Sequence, residues 1–500
     1  MNAGALLLLA TLGSSFVAGV AIFLLPERSA RARTALNLAA AFVKLGCVGW
    51  MLWGAVHGRT YELRLALLPG NDLLLRADPL ALLFISLSAG LWLLTTIYAI
   101  GYLEGSPHRS RFFGFFSLCV TATVGIATAG NLVTFFLFYE LLTLATYPLV
   151  VHRGTPQALA AGARYLIYTL GGGAALLAGI VWLQALAGTV EFTHGGVVSG
   201  LPAERHALLA AIFALLVAGL GVKAALVPLH GWLPLAMVAP APVSALLHAV
   251  AVVKAGAFGI VRIVYDVFGI EFAQDLGLLL PLAIAASVTI LYGSLRALVQ
   301  DDLKRRLAYS TVSQVSYIVL GAALFGPLGT IGGLVHLVHQ GVMKITLFFC
   351  AGNYAETLGI HKVSEMAGVG RRMPWTTAAF TVGALGMIGL PPVAGFISKW
   401  CLGLGALEAG LPWALAVLMV SSLLNAAYFL PILRAAWFDS PPPQWPDEHI
   451  AARGALETSL WLLLPAAGAA ALALAIGLGA GLPMSPSEWA RLIVAREYLR

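Results

Sequence analysis

Apolar residues run through this chain in stretches of about twenty, and polar residues collect in the short gaps between them. At 1.5 Å of rise per residue, each stretch is long enough for one helix across a bilayer core of about 30 Å. Fourteen such spans are predicted, near 3–24, 34–56, 79–102, 112–128, 131–151, 163–188, 207–228, 242–265, 276–297, 307–325, 328–354, 375–397, 411–434 and 458–482. The alternation of polar and apolar positions that a membrane β-barrel needs is absent. The pattern therefore predicts an all-α polytopic membrane protein. The first run has no basic segment before it and is too long for the core of a signal peptide, which predicts a retained span. The tail, "SEWARLIVAREYLR", predicts a short amphipathic helix lying at the interface.

Composition agrees. The chain is 60% hydrophobic and 10% charged, against roughly 25% charged in a soluble domain, so most of its surface must face lipid. The net charge of +7 does not indicate a nucleic-acid partner. The basic residues concentrate in loops after odd-numbered spans, such as Arg28, Arg31 and Arg33 and the stretch "RALVQDDLKRR". That bias predicts cytoplasmic odd loops, with both termini on the other side of a prokaryotic inner (plasma) membrane. Cys47, Cys119, Cys350 and Cys401 stand singly in apolar segments, with no CxxC spacing. Neither a nucleotide-binding glycine motif nor a P-loop is present, so no cofactor and no metal are expected. The triple glycine at 171–173 predicts close helix packing.

Lysine usage separates this chain from an ordinary bundle. It has 22 arginines and seven lysines. Lys44, Lys223, Lys254, Lys344 and Lys399 fall within or at the ends of apolar runs, whereas Lys304 and Lys362 are expected in loops. A lysine at the centre of a bilayer costs at least about 2.5–3.5 kcal/mol. Unlike arginine, lysine can lose its proton when buried. Glu140 is the one clear acid in mid-span; a structural ion pair or a protonated acid is the alternative to a functional role. Lys223 lies one turn before Pro228, and Lys399 follows the break in "GMIGLPPVAGFISKW". Irregular backbone at membrane depth is tolerated where it lines a cavity or is buried in protein, and paired broken helices mark internally repeated transporters. His336, Gln340 and Lys344 share one helical face, with His339 beside it. His248 and Lys254 are about 9 Å apart along a regular helix, on flanks about 120° apart. Each histidine has a plain alternative as a hydrogen-bonded core residue, and haem ligation by His336 with His339 is geometrically unsuitable.

These groups suit proton transfer. Two opposite charges 4 Å apart interact by about 4 kcal/mol at an effective dielectric near 20, equivalent to about three units of an amine's titration. Glu140 approaching or leaving Lys223 would switch that lysine. Lys254, His248, His336, His339 and Lys344 would pass the proton on, and Lys399 would release it.

The motifs "KAALVPLHGWLPLAMVAPAPVSALLHAVAVVKAG", "DDLKRRLAYSTVSQVSYI", "HLVHQGVMKITLFFCAGN" and "GLPPVAGFISKW" resemble the antiporter-like subunits of NADH-quinone oxidoreductase, Mrp cation/proton antiporters and membrane-bound hydrogenases. The wording "LHAVAVVKAG" and "KITLFFCAG" is most similar to the D-type Mrp subunits. The resemblance covers roughly residues 75–440. It implies fourteen helices with two inverted five-helix repeats and broken seventh and twelfth helices. The corresponding divisions are 1–110, 111–266, 267–437 and 438–500. It places Glu140 as the fifth-helix glutamate, Lys223 as the seventh-helix lysine, and His248 and Lys254 on the eighth helix. His336, His339 and Lys344 fall on the eleventh helix and Lys399 on the twelfth. Leu235 and Ala241 depart from the residues common in relatives, Asp and Thr. Lys44 has no counterpart role and is expected to snorkel to the surface.

The resemblance implies a proton-translocating subunit of a multisubunit monovalent-cation (Na+)/H+ antiporter, with homologous membrane subunits as partners and protons, with Na+ or K+, as cargo. A proton-pumping subunit of a respiratory or hydrogenase complex is the alternative; the chain alone carries no catalytic chemistry. A stand-alone solute permease, or a haem or quinone enzyme, fits less well, because the titratable groups spread along the chain.

Overall fold

The computed structural model describes residues 3–68, 70–448 and 457–498. Its helices are α1 (Ala3–Leu24), α2 (Ala30–Val56), α3 (Pro79–Tyr102), α4 (Arg109–Thr128), α5 (Leu132–Val150), α6 (Pro156–Ala187) and α7 (His206–Lys223). They continue with α8 (Ala241–Phe268), α9 (Leu279–Leu298), α10 (Leu303–Ala323), α11 (Pro327–Leu358), α12 (Pro374–Ile388) and α13 (Ala394–Glu408). The last three are α14 (Pro412–Phe438), α15 (Leu460–Leu478) and α16 (Pro486–Tyr498). Among the described residues, 12 helices are long and apolar enough to cross a membrane. Two of the expected spans fall outside that set. The tenth carries the polar residues of "LKRRLAYSTVSQVSY", and the twelfth is interrupted into α12 and α13.

Helix starts are legible in local chemistry. The Asp78, Asn131, Thr155 and Asp302 side chains accept from backbone N–H groups at the starts of α3, α5, α6 and α10. Pro79, Pro156, Pro327, Pro374 and Pro412 occupy first turns, where no helical N–H is needed. The triple glycine does allow close packing. A side chain at Gly172 would meet Val222 and the Gly219 carbonyl, and one at Gly173 would meet the Glu140 carboxylate.

An antiparallel hairpin, β1 (Glu62–Leu68) with β2 (Asn71–Arg76), joins α2 to α3. An all-α expectation leaves no place for it. The stretch "ELRLALLPGNDLLLR" carries a Pro-Gly-Asn turn between two β-compatible runs, but it is too short to span and so reads as loop. Its arginines are charge-matched. Arg64 pairs with Asp72 and Glu191, and Arg76 with Glu62 and Glu191, which ties the hairpin to the loop after α6.

The spans divide into wall and centre. About a third of the membrane-depth residues of α1, α2 and α14 are buried, whereas α8 and α11 are buried throughout theirs. α11 packs against α3, α8, α10, α12 and α13. A helix hydrophobic on all sides can be surrounded by protein, but these two also carry most of the intramembrane charge. The tail helix α16 forms as expected but docks on protein. Trp489 Nε1 donates to the Pro79 carbonyl at 2.8 Å, and the Tyr498 and Thr330 hydroxyls are 2.8 Å apart.

Candidate proton-transfer site

Lys223 is the last residue of α7 and is fully buried. The chain leaves the helix at Ala224, with Ala225 at φ 58°. The freed backbone groups find partners: Trp232 Nε1 donates to the Val222 carbonyl at 2.7 Å, and Val227 N to Thr289 Oγ1 at 3.0 Å. This is how a helix ends at membrane depth without orphaned amides. The Lys223 ammonium donates to the Tyr139 carbonyl and lies 3.3 Å from the centre of the Tyr139 ring.

Glu140, the next residue on α5, is half-buried rather than enclosed, with Oε1 against Gly173 and without a partner among the described residues. It lies within Coulombic range of Lys223, but no ion pair joins the two among the described residues. The expected partners are therefore neighbours without a direct ion pair among the described residues.

α8 follows and presses on the break. A side chain at Gly256 would meet Ala224 N and the Lys223 backbone carbon, so only glycine lets α8 approach this closely. Lys254, two residues earlier, is fully buried, and its Nζ has no partner among the described residues. Between His248 and Lys254 the backbone is not a regular helix. Residues Leu246–Val250 form a wide π-turn, closed at Ala251 with φ −118° and ψ −76°. The 120° separation expected of His248 and Lys254 on a regular helix is therefore replaced by a local unwinding. Such π-turns concentrate at functional positions. Both His248 ring nitrogens are unpartnered among the described residues, and the ring lies 4.6 Å from that of Phe348.

α11 is uninterrupted and sets His336, Gln340 and Lys344 on one face, as predicted. All three, and His339, are fully buried. His336 Nδ1 meets Ser398 Oγ at 2.9 Å, and Lys344 Nζ donates to the Leu307 carbonyl at 3.2 Å. His336 Nε2, both His339 nitrogens and both polar atoms of Gln340 have no partner among the described residues. Lys254 lies within Coulombic range of both His336 and Lys344, and Lys399 of His336.

Lys399, on α13, is partly buried and caps the end of α12. Its Nζ donates to the Met387 and Ile388 carbonyls, each at 2.9 Å, and to Ser422 Oγ at 3.0 Å. A cation there satisfies helix-end carbonyls and the dipole together. Gly389, at φ 96°, turns the chain out of α12. Beside Lys399 a cavity of about 700 Å³ lies between α13 and α14, lined by Phe396, Trp400, Met419 and Ser422 among others.

Several polar groups lie where the sequence does not announce them. Lys304 is not in a loop: it occupies the first turn of α10, and its Nζ donates to the Ala239 carbonyl at 2.6 Å, within Coulombic range of His248. The signal was Asp302, an N-cap two residues earlier, which starts a helix amid charge. Gln314, with neither polar atom partnered among the described residues, and Tyr317, stacked on His336 at 5.1 Å, also face this region from α10. Lys44 does not snorkel; it is completely buried.

On the aqueous side, Glu497 of α16 accepts from His194 at 2.9 Å. This hydrogen bond raises the His194 imidazole above its ordinary value of 6.5. A raised value in the docked state means the contact is fully present below about pH 6.5 and lost as pH rises through that raised value. His194 is more than half exposed, so the effect is small. The amide protection factors of residues 486–498, with the intrinsic base catalysis of exchange divided out, should be slightly higher at the acidic end of that window than above it, and His194→Gln should remove the difference.

Comparisons with known proteins agree with this geometry. Residues 129–425 match the family described as NADH:quinone oxidoreductase/Mrp antiporter, TM, and residues 71–113 match the complex I chain 5 N-terminus. The chain is 39% identical over 398 residues to NADH-quinone oxidoreductase subunit N of Desulforudis audaxviator, covering 78% of each chain. It is 35% identical to subunit L of Mycobacterium tuberculosis, over 79% of this chain and 63% of that one. The structure superposes on a chain of the Mrp complex from Dietzia sp. with a TM-score of 0.87 and 25% identity, over 100% of this chain and 98% of the other. With more than half its length inside the shared transmembrane region, the chain belongs to the NADH:quinone oxidoreductase/Mrp antiporter family, as one of its multi-pass, antiporter-like membrane subunits.

Proposed function

We propose that this protein moves protons along the intramembrane residues Glu140, Lys223, Lys254, His248, His336, His339, Lys344 and Lys399, as the D-type component of a multisubunit Na+/H+ antiporter. The observation that carries this is the row of fully enclosed nitrogens on α8 and α11 that find no partner among the described residues. Leaving such a group unsatisfied costs about 1–3 kcal/mol on protein mutational scales. Buried water, making about three hydrogen bonds to polar groups of this kind, removes that cost and supplies a conductor. Lysine and histidine both bind and release protons, so the row can act as a relay. The paired breaks after Lys223 and before Lys399 support two inverted repeats, 111–266 and 267–437. The charge bias supports odd loops in the cytoplasm of a prokaryotic cell, with both termini outside.

The 39% identity to a subunit of NADH-quinone oxidoreductase favours a second assignment, in which electron transfer elsewhere in the complex drives the same relay. Everted membrane vesicles distinguish the two. Proton movement on addition of Na+ or K+ alone, together with co-purifying small hydrophobic subunits, supports the antiporter. Movement only with an electron donor, and co-purifying iron–sulfur subunits, supports the redox complex. No proton movement under either condition removes both.

A further inference from the structure

The loops after α1, α3 and α5 meet at one end of the bundle, because α4 packs on both α1 and α5. Glu27 of the first loop accepts from Arg109 N and Ser110 N, each at 3.0 Å, and Arg33 donates to Ser110 Oγ at 2.9 Å. Arg111 donates to the His152 carbonyl at 3.0 Å, and the Phe112 ring stands edge-on to that of His152 at 5.2 Å. Arg28, Arg31, Arg109, Arg111 and Arg153 are thereby gathered on one surface. Arg109 is partly exposed and the other four fully so.

Arginines elsewhere in the chain show the alternative. Arg64, Arg76, Arg262 and Arg372 pair with carboxylates, and Arg306 donates to the Gln300, Leu298 and Tyr428 carbonyls. Among the described residues no ion pair holds Arg28, Arg31, Arg109, Arg111 or Arg153. The neighbouring Glu27 carboxylate is already engaged by the α4 amides. Burial, and then the charges of Arg111, His108 and Arg153, bring the His152 imidazole down to about 4, which marks a positive field around it. Membrane orientation asks for basic loops, but it does not ask that their charges converge unpaired, which self-repulsion opposes. An anion placed there removes the repulsion.

The surface also crowns an apolar wall. Phe115, one turn below Arg111 on the same face of α4, meets Phe23 of α1 edge-on at 4.9 Å. Leu24, the last residue of α1, is 82% exposed beside them. The complementary ligand carries an anionic group directly above hydrocarbon. A phospholipid has that form, and its phosphate matches the planar fork of a guanidinium. An acidic peptide would answer the charge and leave the wall uncovered.

We infer that this face binds an anionic phospholipid, its phosphate held by Arg111 and Arg153 in the field of Arg28, Arg31 and Arg109, and its acyl chains lying against Phe115, Phe23 and Leu24. The site is separate from the row of intramembrane lysines and histidines, and it does not depend on which ion the protein moves.

The test offers phosphatidylglycerol and phosphatidylcholine in equal amounts to the purified, delipidated complex and counts retained lipid by native mass spectrometry. Each arginine at an anionic headgroup contributes roughly fivefold in affinity. Wild type should therefore prefer phosphatidylglycerol by about fivefold or more, and Arg111→Gln with Arg153→Gln should cut that preference at least about threefold. Arg491→Gln, at the opposite end of the bundle beside Glu488, should leave it unchanged. Equal retention of the two lipids by wild type overturns the inference, as does an unchanged preference in the double variant. A comparable loss with Arg491→Gln would reduce the effect to net charge and would also overturn the site. Excess glycerol phosphate should not displace the lipid; if it does, the site takes a free anion and the lipid assignment falls. Release of another subunit by the double variant, with lipid retention intact, gives the face to a protein instead. Should the double variant fail to assemble, Arg28→Gln with Arg31→Gln, in the exposed loop, decides: a loss of about twofold supports the site and no loss ends it.

Discussion

Replacing Lys223 with alanine is expected to lower proton translocation by about 10²-fold or more while leaving the complex assembled. The magnitude follows from what a positioned proton-transfer group contributes to a rate, about 10²–10⁴-fold. The geometry concentrates that burden on one atom. Lys223 Nζ sits at the end of α7, on the Tyr139 carbonyl and ring, with the Glu140 carboxylate in Coulombic range and no ion pair between the two among the described residues. Lys223→Arg should fail as badly, since a guanidinium holds its proton. Glu140→Gln should cost less, because it removes the switching charge but leaves the amine. The measurement is fluorescence quenching in everted vesicles, normalised to the amount of assembled complex. Wild-type rates from Lys223→Ala would take the residue out of the route.

The second large effect is on stability. Arg262, near the end of α8, is 1% exposed and bonds Asp78 through two nitrogens at 2.7 and 2.9 Å, and Asp266 at 2.7 Å. Its guanidinium also stands 5.2 Å from the Phe258 ring and 5.3 Å from that of Phe192. Asp78 in turn caps α3 through Ala81 N at 2.7 Å. Arg262→Leu leaves two uncompensated carboxylates, the buried Asp266 and the partly buried Asp78, close to each other. Breaking one side of such a cluster costs about 3–5 kcal/mol, whereas replacing all its members by apolar residues of similar volume is often neutral. Thermal unfolding of the purified complex should show a clear drop for Arg262→Leu and a partial recovery when Asp266→Leu is added. An unchanged melting temperature would show that the cluster contributes nothing.

Much of this was written in the hydropathy of the chain. Long apolar runs give spans because the bilayer leaves few alternatives, and Pro228, Pro391 and Pro392 mark breaks because they cannot continue a helical ladder. The polar face of α11 was legible because an uninterrupted helix preserves the i, i+4, i+8 register. The same logic failed on α8, where the π-turn at Leu246–Val250 resets the angle between His248 and Lys254. No residue in that stretch announces the unwinding; the packing of Gly256 against Ala224 accompanies it. Burial was also beyond the sequence. Lys44 and Lys304 carry the same side chain, and whether the amine reaches water or a carbonyl depends on which helices close around it. The hairpin after α2 reads as loop in the sequence because its short strands compete poorly, by hydropathy, with the spans on either side.

The enclosure of α11 at membrane depth also bears on how the chain is made. Its 32 residues extend about 48 Å, and its central turns carry His336, His339, Gln340 and Lys344. A lone lysine at the middle of an inserting segment costs about 2.5–3.5 kcal/mol in the translocon, before the histidines are counted. Delivered singly into lipid, this helix would be a poor guest. It acquires a tolerable environment only when α8 and α3 already stand ready to receive it and α13 soon follows, so biogenesis of the C-terminal half is a joint event rather than a procession of independent insertions.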